Sequence, residues 1–291
     1  MTSLSIGAAS FSNTYGVIGN CAKLADVYEL LDECLANNVS MIDTAPTYGE
    51  SEEVLGNYRF KDSLKVTTKI SGLLTCTDKK SVSNIVRSSI QQSLATLQVS
   101  NVYGILLHES RLVFSPKILG WAIDELKNAQ DCGLIEKMGI SIYDEEEAEN
   151  LDLSVINLIQ VPMNILDCRF EDSGFLARAK QNGVEVHGRS LFLQGLLLLN
   201  SKNLPRQYGK WMSIWEELEV VAPQDPVEKI AFLLEPFSKN ELVDSLIIGF
   251  NSRAELVQIF EALKLDCFEA DSFRGLGKGP LDLIDPRRWV L

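Results

Sequence analysis

Asp43, Tyr48, Lys69 and His108 are the residues whose types and spacing suggest chemistry. Asp43 closes the short apolar run 40–43, Lys69 closes 64–69, and His108 closes 102–108, while Tyr48 follows Asp43 within the stretch DTAPTYG. A free tyrosine has a pKa near 10 and is a poor acid at neutral pH. A lysine ammonium beside it favours the tyrosinate, and a carboxylate beside the lysine keeps it charged and in place. An imidazole from the next run can hydrogen-bond a substrate oxygen and orient it. Such a set suits protonation of a carbonyl oxygen as hydride reaches the carbon, help typically worth about 10²–10⁴-fold. Amino-acid side chains carry no hydride, so a hydride-carrying cofactor is implied. Each residue alone has a plainer reading. Asp–Lys pairs across neighbouring strands are common structural features, a His at a strand end is usually a satisfied core residue, and a Tyr in a glycine-bounded loop usually packs. Their joint placement argues for a site; spacing alone does not name the reaction.

That placement requires elements that bring the run ends together. Short runs rich in Val, Ile and Leu occur at 4–8, 40–43, 64–69, 102–108, 137–142, 155–161, 184–189 and 245–249. They lack strict alternation, which is how strands covered on both faces read. Between them lie amphipathic segments. Leu24, Val27, Leu31, Cys34 and Leu35 share a helical face, as do Val82, Val86, Ile90, Leu94 and Leu97. Ser115-Pro116 opens another helix with Leu119, Ala122, Ile123 and Leu126 on its apolar face, ended by Gly133. Asp225-Pro226 starts a helix expected to stop before Pro236. Leu256, Ile259, Phe260 and Leu263 mark the last.

Strand and helix thus alternate eight times, which predicts a parallel sheet wound in one hand. Eight units over about 250 residues fit a closed (β/α)8 TIM barrel. An open doubly wound sheet is the alternative, but no strand leads into a GxGxxG turn. The chain reads as a single domain over 1–291, with an insertion at about 196–224 and a tail at about 265–291. The insertion carries an expected helix at 210–221 with Trp211, Ile214, Trp215, Leu218 and Val221. In such a barrel the chemistry sits at the C-terminal strand ends, so the four residues face one mouth.

Composition narrows the function classes. The 291 residues include 40 acids and 27 bases, giving a net charge of −13 and a pI near 4.7. That argues against a nucleic-acid binder and against docking on anionic lipid by bulk charge. At 46% hydrophobic residues the chain can bury a sizeable core. The six cysteines form no CxxC pair and only two histidines exist, so no metal site is expected. The N-terminus has no signal-peptide pattern, and the longest strongly apolar stretch, around 191–199, falls short of a membrane span. The expectation is a soluble cytoplasmic protein with reduced thiols.

The sequence also resembles a known family, the aldo-keto reductases, from Leu4 to about Leu263. The most specific stretch is DTAPTYG at 43–49. The resemblance implies Asp43, Tyr48, Lys69 and His108 as the catalytic tetrad, with Tyr48 the general acid. It implies the TIM-barrel fold and NADP(H), less often NAD(H), bound across the barrel mouth without a glycine fingerprint. KMGIS at 137–141 and QVPMN at 160–164 look like the family's fifth and sixth strands, so Ser141 and Gln160 would contact the nicotinamide amide. RSLFLQGLL at 189–197 resembles the family's pyrophosphate loop, implicating Arg189, Ser190, Leu191, Gln194 and Gly195. IIGFNSRAELVQIF at 247–260 resembles the adenosine-phosphate segment, implicating Gly249, Asn251, Arg253 and Glu255, where a helix N-terminus favours anions.

Departures from the family pattern bear on ligands. Ile142 stands where an Asn usually anchors the amide. Arg189 replaces the Tyr that usually stacks on the nicotinamide, and a guanidinium there would favour the neutral reduced ring over the cationic oxidised one. Glu255 stands where many members place a group for the 2′-phosphate; a carboxylate repels phosphate and can accept from a ribose hydroxyl, whereas nearby Arg253 would reverse that. The family pattern favours NADP(H), with NAD(H) in competition. Glu109 and Ala9 stand where aromatics are frequent, which predicts an open, polar mouth lined by Phe11, Tyr15 and Glu109, with Trp211 or Trp215 as further candidates against their plainer role in helix packing. A small-molecule carbonyl substrate, polar or sugar-like, follows; the ending DPRRW resembles members related to sugars and polysaccharides. Two other classes remain: a cofactor-binding regulatory or interaction subunit of this fold, which need not keep a proton donor, and an unrelated barrel isomerase or lyase. His187, two residues before Arg189, has no assigned role, and oligomeric state is not indicated.

Overall fold

The computed structural model describes residues 2–11, 24–266 and 278–289. Eight parallel strands close into a barrel in sequence order: β1 Ser3–Gly7, β2 Met41–Asp43, β3 Lys65–Ile70, β4 Val102–Leu107, β5 Ile135–Ser141, β6 Leu158–Pro162, β7 Glu185–Arg189 and β8 Ser245–Ile248. β8 closes the ring by pairing with β1, Ser3 opposite Ser245. The TIM barrel expected from the alternation is therefore observed, not the open sheet. Each helix buries its apolar stripe on the barrel: Val27, Leu31 and Cys34 on one, Val82, Val86, Ile90 and Leu97 on another. Deep burial of such stripes is the main stabilising term, roughly 1.5–3 kcal/mol per large side chain.

Local signals set the helix starts. Asp78 accepts from the Ser81 amide at 2.9 Å, ahead of the helix Lys79–Leu97. Asp144 and Glu147 form a reciprocal capping box on the short helix Glu145–Glu149. Asp225 accepts from the Val227 and Glu228 amides, with Pro226 in the first turn. That helix runs through Pro236 to Ser238 instead of stopping before the proline. Near a helix end the ring costs mainly its own missing N–H bond, and its φ is already helical. In the insertion, a 3-10 turn at Arg206–Trp211 leads into the helix Met212–Val221.

Gly139 shows how tightly the barrel closes. A Cβ there would lie 1.6 Å from the Leu158 carbonyl oxygen, so any side chain would push β5 off β6. In the middle of β7, His187 is buried and its Nε2 lies 2.7 Å from Glu185, which also accepts from the Tyr103 hydroxyl at 2.5 Å. His187 thus belongs to a structural cluster. Among the described residues, no helix is long and apolar enough to cross a membrane, and no group of three or more potential ligands could hold a metal ion.

Candidate active site

Strand register places the polar centre. β2 ends on Asp43, paired with Thr67 on β3, and Lys69 follows two residues later on the same barrel-facing side. The Lys69 ammonium donates to both Asp43 oxygens, at 2.9 and 2.8 Å, and to the Thr44 carbonyl at 2.9 Å. Both side chains are almost fully buried. The Gln160 amide donates to Asp43 Oδ1 at 2.8 Å, so β6 also braces the pair. Tyr48 is held by a turn in which its amide donates to Ala45 and its carbonyl accepts from Ser51. Lys69 Nζ lies 4.9 Å from the Tyr48 ring centroid. His108 stands just beyond β4, its amide donating to Ile70. Its ring meets Tyr48 edge-on at 6.3 Å, and its Nδ1 lies 3.3 Å from the Ser71 hydroxyl.

Burial and charge set the protonation states. Burial pushes the Tyr48 hydroxyl above the ordinary tyrosine range; Lys69 pulls it back but does not win. The expected lowering by lysine is thus present as a pull, while the net direction is upward. Burial works most strongly against the Lys69 charge, but Asp43 and Tyr48 together more than offset it, and the ammonium is stabilised. Burial, then Lys69, pushes His108 down to about 4. At neutral pH the centre therefore holds a protonated tyrosine, a charged lysine and a neutral imidazole. With Nδ1 engaged by Ser71, His108 has Nε2 left to bond a ligand oxygen.

These groups open onto a cleft of about 460 Å³. It runs past Ser141, Gln160 and Arg189, along the loop after β7, to Gly249, Asn251 and Glu255. The loop is unusual. Ser190, Leu193, Gln194 and Gly195 all have positive φ, from 49° to 88°, a region non-glycine residues seldom adopt. Leu193 donates back to Ser190, while the amides of Leu191, Phe192, Gln194 and Gly195 donate to no backbone carbonyl among the described residues. Such a run of amides makes an anion-binding concavity. At the far end Ser252 caps the helix Arg253–Ala262. The Glu255 carboxylate accepts from the Asn251 amide at 2.8 Å, and the buried Asn251 Oδ1 has no hydrogen-bond partner among the described residues.

Several expected contacts fall elsewhere. Phe11 is 2% exposed and packs in the core, because the 3-10 turn Ala8–Ser10 rotates it inward; Ala9 and Ser10 line the cleft instead. Glu109 accepts from the Leu73 and Leu74 amides at 2.6 and 3.3 Å, bracing the turn after β3. It does not line the cleft. Arg253 points outward and pairs with Glu33 at 2.8 Å. Trp211 and Trp215 are buried packing residues. Tyr15 lies outside the described residues.

Arg189 lines the cleft, donates to the Ile142 carbonyl at 3.0 Å and stacks on Tyr143 at 4.0 Å. Sequence reasoning missed Tyr143, Phe192, Phe250, Arg287 and the bracing Ser71. Arg287 comes from the tail, which folds back so that Trp289 Nε1 donates to Leu283 at 2.8 Å and its ring meets Tyr208. The Arg287 guanidinium lies 3.7 Å from the same Tyr143 ring and pairs with Asp285 at 2.7 Å. The DPRRW stretch was the available signal, but nothing in it says which arginine turns inward.

A family model for the aldo/keto reductase family matches residues 3–277. Among curated proteins, oxidoreductase sirO of Leptosphaeria maculans is 27% identical over 192 residues, covering 63% of this chain and 56% of that protein. D-arabinose 1-dehydrogenase of Saccharomyces cerevisiae is 28% identical over 122 residues, covering 40% of this chain and 36% of that protein. The matched stretches therefore span little more than half, or less, of those relatives' lengths. Among solved structures, the holo form of aldo-keto reductase AKR11C1 from Bacillus halodurans aligns with TM-score 0.74 at 19% identity, over 98% of this chain and 94% of that one. A putative aldo-keto reductase from Pseudomonas aeruginosa aligns with TM-score 0.65 at 19% identity, over 90% of each chain. At such identities these structures establish the fold.

Proposed function

The chain belongs to the aldo/keto reductase family, and from that premise we propose that it is an oxidoreductase interconverting a carbonyl and an alcohol with a nicotinamide dinucleotide. The observation that carries this reading is the buried centre: a protonated Tyr48 against a Lys69 ammonium locked by Asp43, beside a neutral His108. When bound, the dinucleotide supplies hydride at the carbonyl carbon.

The chain's own residues do the rest. His108 Nε2 donates to the carbonyl oxygen and aims it at Tyr48. As negative charge builds on that oxygen, the Tyr48 hydroxyl passes its proton to it. The tyrosinate left behind faces Lys69, whose charge is already in place, so little reorganisation is needed. The same burial that makes free Tyr48 a weak acid removes the water that would screen that interaction. In the oxidative direction the steps reverse, and Tyr48 takes the proton from the alcohol.

The cleft suits a dinucleotide. Ser141 and Gln160 offer polar groups for a carboxamide beside the reacting centre. The amides from Leu191 to Gly195 suit a pyrophosphate, and the orphaned Asn251 Oδ1 would accept from the adenosine portion. NADP(H) is the family's usual form. The substrate we propose is a polar, hydroxylated carbonyl compound such as a sugar. Ser10, Tyr48 and His108 on the lining favour it, and one relative is named D-arabinose 1-dehydrogenase. The four described cysteines are free thiols, which suits the cytoplasm. We propose that the chain is a single domain.

The test pairs binding with turnover. Tyr48→Phe should lower kcat on the best aldose or aldehyde by about 10²–10⁴-fold while leaving dinucleotide affinity, read by tryptophan quenching, within a few-fold. Undiminished turnover would remove the role given to Tyr48. Binding without turnover over a broad carbonyl panel would favour a regulatory subunit.

A further inference from the structure

We infer that this cleft selects NAD(H) over NADP(H), with Glu255 as the discriminating residue. The inference rests on the proposed dinucleotide reading and deepens it.

The orientation follows from covalent order. Hydride chemistry puts the nicotinamide at the Tyr48 end. The concave run of amides from Leu191 to Gly195 lies next along the cleft and suits the pyrophosphate. The adenosine must then reach the end formed by Asn251 and Glu255. The two cofactors differ only there, by a 2′-hydroxyl against a 2′-phosphate.

Among the described residues, what that end presents is acidic. Glu255 lines the cleft, and its Oε2 accepts from the Asn251 amide. The carboxylate has no other hydrogen-bond partner among the described residues, so Oε1 is left to accept from a ribose hydroxyl. A phosphate dianion has no proton to offer it and is repelled. Arg253, the nearest cation in sequence, does not line the cleft; its guanidinium makes a two-contact pair with Glu33 on the helix Leu24–Ala36. Among the described residues, the arginines on the lining are Arg189 and Arg287, and both stack on Tyr143, which follows β5 rather than β8. The helix N-terminus at Arg253 favours anions in general. Here its own Glu255 already supplies that negative charge, within the first turn where the effect is felt. The net charge of −13 adds a weak field of the same sign.

The experiment titrates the full chain with NADH and NADPH at equal ionic strength, reading tryptophan quenching. NADH should bind at least about tenfold tighter, as expected for one close like-charge contact at a partly screened site. Glu255→Gln keeps an acceptor for the Asn251 amide and removes the charge. It should bring the ratio of the two dissociation constants towards one. Glu33→Gln frees Arg253 and should shift the ratio in the same direction. A thermal melt checks that each variant is folded; should one fail, the wild-type ratio still decides. NADPH binding as tightly as NADH in the wild type would overturn the inference and leave the proposed function standing. Binding of neither would overturn both.

Discussion

Asp43 and Lys69 sit sealed at the ends of β2 and β3, with backbone register on both sides leaving them one arrangement. Arg189, Tyr143 and Arg287, only a short way out along the same cleft, meet because three separate segments converge on one aromatic ring. The centre is built from strand ends; the rim is built from loops and the tail. A charge at the centre is paired, desolvated and costly to orphan. A charge at the rim is half-exposed and tunes which ligand is preferred.

The largest effect expected from that contrast is at the centre. Lys69→Met leaves Asp43 buried with Gln160 as its remaining side-chain partner, and should cost about 3–5 kcal/mol of stability as well as turnover. The double variant Asp43→Asn/Lys69→Met should recover part of the stability and none of the activity. Equal urea midpoints for wild type and Lys69→Met would mean that Asp43 and Lys69 are not a coupled buried pair.

Next comes pH. His108 is held at about 4 in the native state against an ordinary value of 6.5. Between those values the unfolded chain binds a proton that the native chain refuses, so stability rises with pH through this window. The contribution is complete above 6.5 and is lost as pH falls to 4, by up to about 3 kcal/mol. Denaturation at pH 4.5 and 7 should show the difference, and His108→Gln should reduce it. An unchanged difference in that variant would assign the acid sensitivity to other groups.

The smallest expected effect is at the rim. The Arg189 donor groups face neutral acceptors, Ile142, Ser141 and Ser190, and no carboxylate pairs with it among the described residues. It should favour the uncharged reduced nicotinamide over the cationic oxidised ring. Arg189→Tyr should then lower the ratio of oxidised to reduced dissociation constants by about tenfold, roughly 1.4 kcal/mol. Equal constants in the wild type would remove this role.

The same division separates what was legible in the sequence from what was not. Short Val/Ile/Leu runs alternating with helical stripes specified the barrel, because period and length are local properties. Asp43, Lys69 and His108 were legible because strand ends in a barrel share one mouth. Phe11 and Glu109 were misread because each lies in the loop after a strand, four residues past β1 and two past β4, where the turn geometry decides the side. Phe11 turned into the core, and Glu109 capped a neighbouring turn. Tyr143 and Arg287 were invisible because the tail is distant in sequence from β5, and no pattern in DPRRW predicts its return path. Arg253 and Glu255 sit two residues apart on one helix end, yet one faces out to Glu33 and the other into the cleft.

By itself, then, the sequence determined the barrel, the polar strand ends and the absence of a glycine fingerprint, since each follows from spacing along the chain. Tertiary structure decided the protonation states, through burial that no single segment contains. It decided the strained loop after β7 and the stack on Tyr143, which exist only when separate segments meet. It also decided which charges face the ligand, because a side chain's direction depends on what the fold places beside it.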